Sequence, residues 1–139
     1  MKKFLCLFCL LLLLSACAHK ANETLFYQLG GREGLSKIVT SFITNIGKDK
    51  QILPYFFDAK ISRFRNQIYD HLCDITDGPC HYNGDSMIDI HTGMNINESD
   101  FNRLVDLLYK SMDEQHIPHP IQNKLIGRLA PLRSTIIYI

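Results

Sequence analysis

The sequence predicts an all-α fold, on three observations. Apolar residues recur at helical spacing in four separate stretches, and no stretch alternates apolar and polar residues between hairpin turns. The apolar stretches are divided by Gly, Pro, Asn and Asp at positions where helices start and stop. With 139 residues and no repeat or low-complexity segment, the chain is of single-domain size.

The elements follow in order. Gly30-Gly31 separates a short opening helix from a first long one, whose stripe is Leu35, Ile38, Val39, Phe42, Ile43 and Ile46. Ile61, Phe64, Ile68, Leu72 and Ile75 form a second stripe. A loop rich in turn formers then runs from Thr76 to Ser86. Asn97 is a good N-cap for a third long helix with Phe101, Leu104, Val105, Leu108 and Met112. Pro118 and Pro120 forbid that helix from continuing, so a fourth starts after them with Ile121, Leu125, Ile126, Leu129, Leu132 and Ile136. Pro131 should kink it or mark its end.

The chemistry concentrates between Gly78 and Ile96. Met87 precedes His91 by four residues, so on a helical turn both point the same way, and Gly93 and Asn95 tolerate the left-handed backbone that ends such a turn. Gly78-Pro79, Tyr82, Gly84, Met87, His91, Gly93 and Met94 fit the pattern Gly-Pro-x-x-Tyr-x-Gly-x-x-Met-x-x-x-His-x-Gly-Met. This pattern resembles that of the group I truncated haemoglobins. The likeness extends upstream to Leu25-Phe-Tyr-Gln-Leu-Gly-Gly31 and Pro54-Tyr-Phe-Phe57, and spans roughly residues 24 to 133.

The resemblance implies a truncated globin fold, a two-over-two helical sandwich around haem b, with His91 as the proximal iron ligand. Read alone, His91 would be a partly buried, hydrogen-bonded histidine; the motif around it makes it a ligand. Phe56 matches the phenylalanine that wedges against haem, with Phe57 next in register. Met87 is expected on the porphyrin, with Phe64, Ile68 and Leu72 on the opposite side and Tyr82 among the haem contacts. Without the family match this stripe is simply core. Arg63 and Arg65 would pair with haem propionates at the pocket mouth, or else be solvated surface arginines.

On the distal side the chain departs from the family. Ile43 stands where members usually offer a tyrosine hydroxyl to bound oxygen, and Ile68 stands where they often carry a polar residue. A buried donor to a polarised ligand is worth roughly 1–3 kcal/mol, so losing it would speed oxygen release about ten- to a hundredfold. His71, three residues after Ile68, either restores a donor or is a solvent-facing or loop-bonding histidine.

The N-terminus reads as a processing signal: Lys2-Lys3, an apolar run from Phe4 to Leu14 too short to span a bilayer permanently, then small residues. Leu14-Ser15-Ala16-Cys17 resembles the lipobox of bacterial lipoproteins, which implies cleavage before Cys17 and acylation of it. The expected organisation is a signal peptide over 1–16, a tether over 17–23 and a globin domain over 24–139. Several acyl chains on one cysteine anchor a protein stably. With Ala18 following the cysteine, the resemblance implies a periplasm-facing domain in the cell envelope, on the outer membrane rather than the inner. Of the five cysteines, Cys6 and Cys9 leave with the signal and Cys17 is lipidated, so Cys73 and Cys80 remain as a pair that an oxidising compartment would join.

A net charge of +1 and the absence of basic runs interleaved with aromatics give no footprint for nucleic acid. The expected function is reversible binding of a diatomic gas: oxygen, nitric oxide or carbon monoxide. Nitric oxide dioxygenation is an alternative; it needs a reductase, for which the chain carries no flavin or nicotinamide motif. A structural zinc site on His71, Cys73, Cys80 and His81 is a third reading. A haem-free interaction lipoprotein is a fourth.

Overall fold

The computed structural model describes residues 23–139. The signal-peptide, lipidation and cell-envelope readings at Cys17 fall on residues outside the described ones. The elements are α1 (Leu25–Gln28), α2 (Gly31–Lys48), a 3-10 turn (Leu53–Phe56), α3 (Ile61–Ile75), α4 (Met87–His91), α5 (Glu98–Glu114), α6 (His119–Leu129) and a closing 3-10 turn (Ala130–Thr135). No strand occurs among the described residues. The fold is all-α, with α2 and α3 packed as one pair, α5 and α6 as the other, and the two pairs meeting along α2 and α5.

The core is built from the stripes that periodicity marks. Leu35, Ile38, Val39, Phe42 and Ile46 of α2 are buried together with Leu72 of α3, Leu107, Leu108 and Met112 of α5, and Leu125 of α6. Replacing any of the fully buried leucines by alanine should cost about 2–5 kcal/mol. Three stripe positions differ from expectation. Ile61 is exposed, because it opens α3 before the helix reaches the core, while Leu132 lies in the closing 3-10 turn and Ile136 past it rather than on α6. Pro131 sits at the start of that turn, where its missing N–H costs nothing, so it marks a boundary.

Polar groups fix how the helices meet. Asn45, buried on α2, donates to Ser111 Oγ at 3.0 Å and accepts from Lys110 Nζ at 2.6 Å, both on α5. These bonds satisfy an amide that would otherwise be costly inside the bundle. Asn97 and Asp100 form a reciprocal capping box at the start of α5. Arg128 of α6 donates to the Ile75 carbonyl at 2.9 Å, satisfying a free carbonyl at the end of α3.

One such network positions the turn that carries Phe56. Asp49 accepts from the backbone N–H groups of Gln51 and Ile52, each at 3.0 Å, and from Arg103 Nε at 2.7 Å. Asp100 accepts from Tyr55 Oη at 2.7 Å and from Gln51 Nε2 at 3.0 Å. The turn is therefore tied at both ends to α5, and Phe56 is delivered inward while Phe57 is 70% exposed.

Candidate haem pocket

Between α3 on one side and α4 with α5 on the other lies a cavity of about 570 Å³. That size and a mainly apolar wall are typical of small-molecule and cofactor sites. Phe56 enters from the 3-10 turn and packs on Phe64 with ring centroids 4.9 Å apart. Phe64, Ile68, His71 and Leu72 line it from α3, Met87 and His91 from α4, and Leu104, Val105 and Leu108 from α5.

His91 owes its position to a helix of only five residues. Ser86 caps it, its Oγ accepting from the Asp89 backbone N–H at 3.2 Å. Gly93 at φ +81° and Asn95 at φ +54° then reverse the chain, the left-handed stop that the sequence indicates. The segment after His91 is held by the end of the chain. Gly93 N–H donates to the Ile139 carbonyl at 3.1 Å, and Tyr138 N–H donates to the Ile96 carbonyl at 3.0 Å. Leu132 and Ile136 complete the cavity wall on this side.

His91 Nδ1 lies 2.7 Å from the Met87 carbonyl oxygen. A carbonyl only accepts, so Nδ1 carries a proton and donates it, and Nε2 is the ring nitrogen not engaged by the helix. This is the arrangement by which metal-binding histidines are fixed in tautomer and direction.

On α3, His71 lines the same cavity, and its Nε2 is buried without a hydrogen-bond partner among the described residues. Burial pushes the His71 imidazole below its usual pKa, with Asp74 opposing only in part, so the ring is neutral near pH 7. Its ring meets Tyr82 edge-on at 5.0 Å. The Tyr82 hydroxyl donates to the Asp85 carbonyl at 2.8 Å and folds the ring over Gly84. A side chain at position 84 would meet the Tyr82 ring and hydroxyl within 2.4–2.7 Å, which is why glycine stands there.

Two expected site residues are elsewhere. Ile43 does not line the cavity; successive residues on a helix project about 100° apart, and it is Phe42 that faces in while Ile43 packs half-buried against the core. Arg65 is turned from the mouth toward α2, donating to Thr40 Oγ1 at 2.7 Å. Arg63 does line the cavity at its exposed rim, 3.5 Å from Asp85, with Lys60 beside it. Phe42 of the α2 stripe also lines the cavity, as do Lys60 and Gln67, whose polar side chains carry no sequence signal for an apolar site.

Cys73 and Cys80 are bonded to each other, closing the loop after α3. That removes both thiolates from a zinc site, and among the described residues no three His, Cys, Asp or Glu side chains converge to hold a metal ion. The zinc reading is thereby corrected.

The residues fit a haem. An imidazole whose Nε2 is not engaged by the helix lines an apolar cavity of suitable size, a second histidine nitrogen is left without a protein partner, and cationic side chains stand at the rim where propionates would emerge.

Comparison with known proteins agrees with this geometry. A group 1 truncated haemoglobin of Tetrahymena thermophila is 28% identical over 111 residues, covering 80% of this chain and 88% of that protein. A group 1 truncated haemoglobin of Nostoc commune is 23% identical over 115 residues, covering 83% and 98%. The Fe(III) form of Tetrahymena pyriformis truncated haemoglobin superposes with a TM-score of 0.80 at 23% identity, covering 83% of this chain and 98% of that one. A 2/2 haemoglobin from Synechococcus, in the cyanomet state with covalently attached haem, gives 0.78 at 15% identity, covering 84% and 100%. The model of the bacterial-like globins matches residues 24–138, and the chain belongs to that family.

Proposed function

We propose that this globin binds haem b through His91 Nε2 and reversibly takes up a diatomic gas. The observation that carries the reading is the 2.7 Å contact from His91 Nδ1 to the Met87 carbonyl, which leaves Nε2 of a histidine lining an apolar cavity as the nitrogen for iron. Haem, when bound, supplies an iron with one coordination position open to a small ligand. The chain does the rest. His91 would hold the iron through its second ring nitrogen, and its bond to the Met87 carbonyl keeps the ring from rotating. Phe56, Phe64, Ile68, Leu72 and Met87 give dispersion contact and exclude water. Arg63 and Lys60 neutralise propionates at the rim.

We further propose that the globin is held in the cell envelope by acylated Cys17, facing the periplasm. The support is the Leu14-Ser15-Ala16-Cys17 sequence and the paired state of Cys73 and Cys80, which suits an oxidising compartment. Haemin titration of the purified chain tests the first proposal: one haem taken up per chain, with a Soret band, supports it, and an unchanged haemin spectrum rejects it. Fractionation with a Cys17→Ser variant tests the second, which requires the wild type in membranes and the variant released.

A further inference from the structure

The helix that presents His91 is weakly held by its own residues. α4 is five residues long, none of them is buried, and Ile88 and Ile90 stand exposed. A helix that short does not persist on its own hydrogen bonds, so its place is set by what packs on it. The contact of His91 with Met87 fixes the ring on the helix and leaves the position of the helix to be fixed from outside.

That support comes from the end of the chain. The closing 3-10 turn (Ala130–Thr135) is the element on which α4 chiefly packs. Beyond it the chain doubles back, so that Gly93 N–H donates to the Ile139 carbonyl at 3.1 Å and Tyr138 N–H donates to the Ile96 carbonyl at 3.0 Å. The two bonds bracket residues 93–96, the segment that leads from His91 into α5. Arg133 braces the far side of that segment, 2.9 Å from Glu98 at the start of α5 and 5.7 Å from the centre of the Phe101 ring, which lines the cavity.

The backbone of Tyr138 points the same way. Its φ of +57° is a left-handed state that is strained for an aromatic residue and persists only where the surroundings impose it. Its side chain is exposed, so the ring does not hold the residue there; the pairing with Ile96 does.

We propose that residues 137–139 are the positioning element of the proximal side: by pairing with Gly93 and Ile96 they hold α4, and with it the His91 ring, against the cavity, and so set how firmly haem is retained. The proposal rests on the haem-binding reading above. Leu132 and Ile136, which complete the cavity wall, precede these residues, so removing 137–139 takes the strap and leaves the wall.

The test uses the full chain in wild-type form, a variant lacking residues 137–139, and Tyr138→Gly. Hydrogen–deuterium exchange is measured on the haem-free chain; on the haem-loaded chain, the rate of haem transfer to an acceptor protein and the iron–histidine stretching frequency of the ferrous, gas-free form. Without residues 137–139, exchange over 87–96 and haem loss should each be about tenfold faster, with exchange in α2 unchanged and the stretch shifted. Tyr138→Gly, which keeps the N–H and adopts the left-handed backbone without strain, should slow both rates below wild type. Exchange over 87–96 that the deletion leaves unchanged would overturn the proposal. So would an equal rise in α2, since the tail would then support the fold at large. If the deletion unfolds the chain, Tyr138→Gly rates at or above wild type would overturn it. Failure of the wild type to take up haem would reject the underlying reading instead, while the exchange result would still decide whether the tail holds α4.

Discussion

The ring of His91 is locked to the carbonyl of Met87, one turn earlier on the same five-residue helix, at 2.7 Å. The contact is local in sequence, so the orientation of the ring on its helix does not depend on any distant packing. On the proposed reading the ring itself, more than the backbone around it, carries the haem interaction. Removing it as His91→Gly should abolish the Soret band, and millimolar free imidazole should restore it by occupying the space left. A variant that keeps full haem affinity without imidazole would assign the ligand elsewhere.

Phe56 and Phe57 offer a paired contrast. Phe56 packs on Phe64 in the cavity, and Phe57 is 70% exposed. Phe56→Ala should lower stability by about 2–3 kcal/mol, below the full value for a deeply buried ring, and speed haem loss. Phe57→Ala should stay within about 0.5 kcal/mol of wild type. Urea midpoints for the two variants decide the register.

At the pocket rim, Arg63 lines the cavity whereas Arg65 bonds to Thr40. Arg63→Ala should therefore accelerate transfer of haem to an acceptor protein, and Arg65→Ala should not. Equal acceleration by both would show that the rim is organised differently.

Breaking the Cys73–Cys80 link with a dithiol reductant should lower unfolding stability by about 2–3 kcal/mol, from the chain entropy of so short a loop. Urea unfolding with and without reductant measures it, and a Cys73→Ala/Cys80→Ala variant should match the reduced protein.

Acid should destabilise the fold through three carboxylates. Bonds from Lys110, Ser41 and Asn45 bring Glu114 down from 4.5 to about 2. Bonds from Gln51 and Tyr55 lower Asp100 against some desolvation. At Asp49, burial pushes upward but Arg103 and the Ile52 and Gln51 N–H groups outweigh it. Each folded carboxylate binds its proton later than in the unfolded chain, so its contribution is complete above the unfolded value and is lost as pH falls toward the folded one. His71, depressed below 6.5 by burial, has the same sign and begins the loss earlier. Stability should thus drop as pH falls below 6.5 and steeply between 4.5 and 2, and Glu114→Gln should flatten the lower part. A flat urea midpoint across that range would contradict this account.

The helices and His91 were legible because their signals are local: periodic stripes, proline breaks, and a spaced motif around one imidazole. Phe42 and Ile43 show where that legibility ends. Both belong to the apolar stripe of α2, and only the rotation of that helix in the bundle decides which one meets the cavity. Arg65 likewise reads as a rim cation, and its partner Thr40 lies 25 residues away on another helix. The return of the C-terminal residues to Gly93 and Ile96 is a backbone pairing that no side-chain pattern announces.

The most direct test of the central claim is the ferrous-carbonyl spectrum of the haem-loaded chain beside that of His91→Ala. A sharp Soret band in the wild type that the variant lacks, with folding of both verified by circular dichroism, is the expected result. An identical band in both would contradict the assignment of His91 as the group that holds the haem.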